Sequence, residues 1–265
     1  MEISKIINAS VFSKKPSDNT TVPEDKDKKT SLFKSNKTTE VSLNTDDNEG
    51  IQALNEAENE TQIQSVKDKK SSKIKQDINI EKNIPTELKD SFSYELNYVK
   101  DKYKENKNKY EEISEKVNNE TGVKIPPELI CAIHYRESAN NFDCYFQNGD
   151  PLGVPTVNYP QGLYFDNFVD SATAALIEHC NYFKNSVSPQ YNVADDFSTM
   201  SSCLEFAECY NGYGYRVNGH TSPYVYSGTT KYNGGLYTSD GVYDETAYDS
   251  RPGVAIVMQE LMKNS

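Results

Sequence analysis

Tryptophan is absent from the 265 residues, histidine occurs three times, and no apolar run approaches the ~18 residues that a membrane-spanning helix needs. The residues Met1-Glu2-Ile3-Ser4-Lys5-Ile6-Ile7 lack the continuous apolar centre of a secretory leader. No membrane span is therefore expected. Cysteine is sparse as well: Cys131, Cys144, Cys180, Cys203 and Cys209 form no C-x-x-C pair, which removes the usual spacing of a zinc site. No metal and no cofactor are expected, and the odd count favours reduced, partly buried thiols. Basic side chains are outnumbered 28 to 40, and the net charge of -12 repels a phosphate backbone, so no nucleic-acid partner is expected.

Aromatic residues are missing from one end in particular. Over 1–90 the sequence is mostly Lys, Asn, Asp, Glu, Ser and Thr with scattered single apolar residues, and its only aromatics are Phe12 and Phe33, whereas all 19 tyrosines and all five cysteines lie beyond Asp90. A segment of that composition cannot bury enough apolar surface to offset roughly 1–2 kcal/mol of backbone entropy per residue. The division expected is a disordered polar tail over 1–90 and one packed domain over 91–265. Such a tail can be a plain linker, or the part that engages an export apparatus or an appendage.

Within the packed part the apolar period is mainly helical. Phe92, Leu96, Val99, Tyr103, Tyr110, Ile113 and Val117 are spaced by four, three, four, seven, three and four, one face of a long helix with a break expected near 104–109 and a stop at Gly122. A second helix opens at Pro126-Pro127 and carries Leu129, Ile130 and Ile133. A third runs from Phe168 to Phe183. A fourth carries Phe197, Met200, Leu204, Ala207 and Tyr210, with Asp195 or Asp196 as its cap and Gly212 as its end, and a last one follows Arg251-Pro252. The Gly- and Tyr-rich stretch from Tyr213 to Tyr248 reads as hairpins or ordered loops. The expected fold class is mainly α (α+β).

Glu137 stands four residues after Ile133, on the face of its helix that is otherwise buried. A carboxyl group there is costly unless it borders a cleft, and partial desolvation raises its pKa toward what a general acid needs. The plainer reading is a helix-terminal glutamate paired with Arg136 or a lysine. Asp150, 13 residues on, is the second candidate carboxylate: it orients a water, or it only caps the turn made by Asn148-Gly149-Asp150-Pro151. Asp240, Asp244, Glu245 and Asp249 fail the EF-hand spacing and read as a solvated loop.

The stretch Ile130-Cys131-Ala132-Ile133-His134-Tyr135-Arg136-Glu137-Ser138 resembles the helix that ends in the catalytic Glu-Ser of goose-type lysozymes and soluble lytic transglycosylases. Some seventy residues later, Tyr210-Asn211-Gly212-Tyr213-Gly214-Tyr215 is similar to that superfamily's Tyr-Asn-Gly helix end. A bacterial and phage branch adds an Asn-Gly-Asp-Pro-Leu loop, here Asn148 to Leu152, and the series Ser222-Pro223-Tyr224, Ser227-Gly228-Thr229 and Asp240-Gly241. The Gly-Leu-Met-Gln stretch typical of soluble transglycosylases is missing, and Phe168 and Tyr226 stand where branch members often carry tryptophan.

The resemblance implies a lysozyme-like domain that cleaves peptidoglycan glycan strands between N-acetylmuramic acid and N-acetylglucosamine, as a hydrolase or a lytic transglycosylase. Glu137 is then the catalytic acid, with Asp150 as its possible partner. Asn148, Tyr210, Asn211, Tyr215 and Tyr226 are the expected substrate contacts, each of them equally readable as packing or capping. Such an enzyme works in the cell wall, the periplasm or outside the cell. The competing reading is a non-catalytic glycan-binding or wall-anchoring module with the same groove.

Overall fold

The computed structural model describes residues 82–239 and 241–263. The tail expected over 1–90 falls outside the described residues as far as position 81. Positions 82–90 are already part of the fold. Strand β1 (Lys82–Asn83) pairs antiparallel with β2 (Gly228–Thr229), and a 3-10 turn (Thr86–Leu88) leads into helix α1 (Lys89–Thr121).

Helix α1 buries the face read from its spacing: Phe92, Leu96, Val99, Tyr103, Tyr110, Ile113 and Val117. Its break lies at Asn106, where φ is -122° and ψ is 18°. The Asn106 amide donates to the Lys102 carbonyl at 3.1 Å, the local side-chain bond by which asparagine competes with helical pairing. Gly122 ends the helix at φ 71°, a left-handed cap that costs glycine least.

Helix α2 (Pro127–Ser138) starts with proline in its first turn and is buried on nearly every side from Leu129 to Arg136. Such all-round burial marks a central helix, and α2 packs against α1 on one flank and α8 (Val254–Met262) on another. Helix α3 (Phe168–Tyr182) is capped by the Asn167 side chain, and continues through a π-helical turn (Phe183–Val187) into α4 (Ser188–Tyr191).

Helix α5 (Met200–Asn211) departs from expectation at its start. Its cap is Thr199, whose hydroxyl accepts from the Ser202 amide at 3.1 Å while the Ser202 hydroxyl answers the Thr199 amide. Asp196 instead closes a turn by accepting from the Ser198 amide. Phe197, at φ 53°, is fully buried outside the helix.

Short helices α6 (Gly214–Val217) and α7 (Pro223–Tyr226) follow, then a hairpin of β3 (Leu236–Ser239) and β4 (Val242–Asp244) with an irregularity between Tyr237 and Ser239. The architecture is mainly α, with four short strands among the described residues. Gly253 shows why α8 can dock: a Cβ there would meet the Val225 carbonyl oxygen at 2.6 Å and the Ser227 nitrogen at 2.7 Å. Among the described residues no helix is long and apolar enough to cross a membrane.

Candidate active site

The C-terminal end of α2 is where polar chemistry meets the core. Arg136 turns inward, and its Nη2 donates to Asp249 Oδ2 at 2.6 Å, both side chains being buried. The Arg136 Nη1 points at the carbonyls of Arg251 and Pro252, each at 3.3 Å. The expectation of Asp249 in a solvated acidic loop is therefore corrected: it is buried, and although burial pushes its carboxyl up, the charges and hydrogen bonds of Arg136 and Arg251 hold it below the usual range. This pairing also leaves Glu137 without Arg136 as a partner.

Glu137, one residue on, is half-buried, and its Oε1 accepts from the Tyr224 hydroxyl at 2.8 Å. Burial pushes its pKa up to about 7, against the opposing pull of the Tyr224 bond and of the charges on Arg136 and Arg251. Among the described residues no carboxylate is one of the groups that act on it. A carboxyl so placed is protonated for an appreciable fraction of the time at neutral pH and can both donate and accept a proton.

Tyr210 faces the same spot. Its hydroxyl is buried with no hydrogen-bond partner, and burial together with the charge on Glu137 drives its pKa well up. Its ring is held between His179, at 4.2 Å between centroids, and Phe146, at 5.9 Å. The Tyr224 hydroxyl is raised in the same way, by burial first and by Glu137 second. Three oxygens from α2, α5 and α7 thus converge, and both phenols remain protonated donors.

Asp150 is buried and fully committed to its own loop. Its Oδ2 accepts from the amides of Val157 and Asn158, both at 2.8 Å, and its Oδ1 from the Asn158 side chain at 2.6 Å. These bonds tie Asp150 to the chain seven and eight residues further on, not to its own Asn148–Pro151 turn. Asn148 is spent similarly, accepting from the Asp150 amide at 3.0 Å. The loop nevertheless lies beside the C-terminal end of α2, since a Cβ on Gly149 would come within 3.9 Å of the Ser138 Cβ.

The other expected contacts separate. Tyr215 is pinned to the hairpin, its hydroxyl accepting from the Tyr237 amide at 3.2 Å. Asn211 is exposed in the last turn of α5, and the cap position belongs to Gly212. Tyr226 lines a cavity of about 360 Å³ with Glu208, Arg216, His220, Ser222 and Lys231. A second cavity, of about 440 Å³, lies between Lys109, Phe142, Asp166 and Phe168. Glu137 lines neither of them.

Sequence reasoning named Tyr224 only with Tyr226, Tyr232, Tyr237 and Tyr243 as tyrosines that could line a groove, and it missed the bond from Tyr224 to Glu137 and the inward pairing of Arg136 with Asp249. All five cysteines are free thiols, four of them buried. Among the described residues no group of three or more His, Cys, Asp or Glu side chains is arranged to hold a metal.

No family model, no curated protein and no solved structure matches this chain.

Proposed function

We propose that the chain is a peptidoglycan-cleaving muramidase built as a lysozyme-like domain, with Glu137 as its general acid. The observation that supports this most is a half-buried carboxyl with a pKa near 7, free of any ion pair, held by one phenol and faced by a second at the end of the central helix. Glycoside cleavage needs a proton delivered to the leaving oxygen by an acid of that kind.

The state of Asp150 favours the lytic-transglycosylase form of the reaction. An inverting hydrolase requires a second carboxylate to activate water, and the Asp150 oxygens are bound to Val157 and Asn158. With one carboxyl, Glu137 protonates the departing glycosidic oxygen. As a carboxylate it then takes the proton from the C6 hydroxyl of the muramyl sugar as that oxygen closes on C1. The product is an anhydro-muramyl end, one water lighter than a reducing end.

The experiment is clearing of a peptidoglycan suspension by the purified chain, with mass spectrometry of the released fragments. Glu137→Gln is expected to lose at least ~10²-fold in rate while keeping the fold. Undiminished clearing by that variant overturns the role of Glu137, and wall binding without cleavage by the unaltered chain points instead to a glycan-binding module. Reducing ends in place of anhydro ends would restore a hydrolytic reading.

A further inference from the structure

The loop that joins the Asn148–Pro151 turn to helix α3 stands apart in composition. Residues 151–165 contain no Lys, Arg, Asp or Glu, in a chain of which 26% is charged. They also hold large apolar side chains in solvent: Val154 is 48% exposed, Val157 73%, Tyr159 78% and Tyr164 60%.

The backbone that carries them is fixed from below by buried polar groups. All the side-chain bonds of Asp150 run to Val157 and Asn158, and a buried carboxylate is costly unless its oxygens are met in this way. The buried Tyr145 hydroxyl lies 2.8 Å from the Val154 carbonyl and 3.0 Å from that of Leu163, and it accepts from the Phe165 amide at 2.8 Å. Thr156, also buried, closes the loop on itself. Its amide donates to the Leu163 carbonyl at 2.9 Å, and its hydroxyl donates to the Pro160 carbonyl at 2.5 Å while accepting from the Leu163 amide at 3.0 Å. A partner that meets side chains on such a frame forfeits little chain entropy.

The same loop borders the candidate acid. The Asn148 side-chain amide donates to the Tyr159 carbonyl at 3.5 Å, and the neighbouring Gly149 lies against Ser138, the residue after Glu137. A tyrosine ring offers an apolar face with a polar tip, which suits a contact that is dry at the ring and wet at its rim. With no charge of its own, the loop has nothing to draw a phosphate headgroup or a charged peptide, and covering it buries no ion. A neutral sugar, with a face of C–H groups and a rim of hydroxyls, matches both properties.

We propose that residues 151–165 form a prearranged binding surface for neutral sugars, with Tyr159 and Tyr164 as the stacking side chains, along which a strand approaches Glu137. That these sugars belong to the strand being cut rests on the glycan-cleaving reading above; the preference for a neutral sugar does not.

Isothermal titration of the full chain carrying Glu137→Gln with the neutral hexamer of β-1,4-linked N-acetylglucosamine tests the surface. Binding is expected, and it is expected to change less than about twofold up to about 0.5 M NaCl, because screening acts only on charges. Tyr159→Ala and Tyr164→Ala together are expected to weaken it at least ~10-fold, as truncation of central aromatic contacts does. Tyr159→Trp and Tyr164→Trp together are expected to stay within about threefold. Tyr182→Ala removes another exposed ring, at the far end of α3, and is expected to change nothing. Each variant is checked for unchanged circular dichroism. No binding, equal binding by the alanine variant, a loss as large in Tyr182→Ala, or an affinity that collapses with salt overturns the surface. A tryptophan variant as weak as the alanine one overturns the stacking. Retention on phosphatidylcholine vesicles without binding of the hexamer would give the loop to lipid and overturn the sugar. Wall clearing by the same loop variants with Glu137 in place separates this from the catalytic reading. A chain that binds the hexamer through the loop and clears no wall keeps its surface and loses its assigned reaction. One that clears walls equally well with and without the two tyrosines, and binds no hexamer, keeps the reaction and loses the surface.

Discussion

A carboxyl group carried into a protein interior favours its proton, and the folded state then depends on pH in a defined direction. For Glu137 the folded pKa of about 7 lies above the ordinary value of 4.5, so its contribution to stability is fully present below about 4.5 and is lost as pH rises through 7. Above that point the ionised group costs the fold up to about 3 kcal/mol. Glu137→Gln removes the titration. The variant is therefore expected to unfold several degrees higher than the unaltered chain at pH 8 and at the same temperature at pH 4, as read by calorimetry. Identical midpoints at pH 8 would mean that the carboxyl is not desolvated. Tyr224 acts in the opposite sense, because its hydrogen bond favours the ionised form. Tyr224→Phe is expected to move the alkaline limb of the wall-clearing profile to higher pH, and a limb that stays in place would remove Tyr224 as a positioning residue.

At the scale of elements, the loop after α2 decides what the second carboxylate does. Asp150 accepts three donors from Val157 and Asn158, and bonds to a charged acceptor are worth about 1.5–3 kcal/mol each before compensation. Asp150→Asn is expected to lower stability by about 2–3 kcal/mol and to leave clearing within about tenfold of the unaltered rate below its melting range. A variant of full stability with no activity would make Asp150 the catalytic base after all. Local patterns carried much of this architecture: the face of α1, its break at Asn106 and the stop at Gly122 all follow from spacing and residue type within a few turns. The same is true of the Glu137 position, four residues beyond Ile133. What spacing could not convey is the pairing of Arg136 with Asp249, which closes across 113 residues and has no periodic trace. The cap at Thr199 was obscured for another reason: acidic residues at 195 and 196 are good caps by type, and only the left-handed backbone of Phe197 moves the helix start beyond them.

At the scale of the whole molecule, the charge pair between Arg136 and Asp249 ties the end of α2 to the segment that enters α8, and so aligns Glu137 with Tyr224. Removing one partner of a buried pair leaves the other uncompensated at a cost of about 3–5 kcal/mol, so Asp249→Asn or Asp249→Leu is expected to destabilise by an amount in that range in urea unfolding. The same side of the fold is closed by the segment before α1, and this places the start of the domain earlier than the aromatic content indicated. Lys82–Asn83 pairs with Gly228–Thr229, the Asn83 amide donates to the Tyr232 carbonyl at 3.0 Å, and the Tyr248 hydroxyl donates to the Asn83 carbonyl at 2.6 Å. Lys82 also meets Glu260 on α8 at 2.6 Å, an exposed pair that adds little by itself. Composition could not register these ties, because they are made by main-chain groups and by an asparagine rather than by apolar side chains. A chain of residues 91–265 loses all of them, whereas one of residues 82–265 keeps them. At about 1 kcal/mol net for each hydrogen bond, the shorter chain is expected to be less stable by at least about 2 kcal/mol. That difference is readable as a lower urea midpoint at unchanged slope. Equal midpoints would return the boundary to position 91 and leave β1 without a structural role.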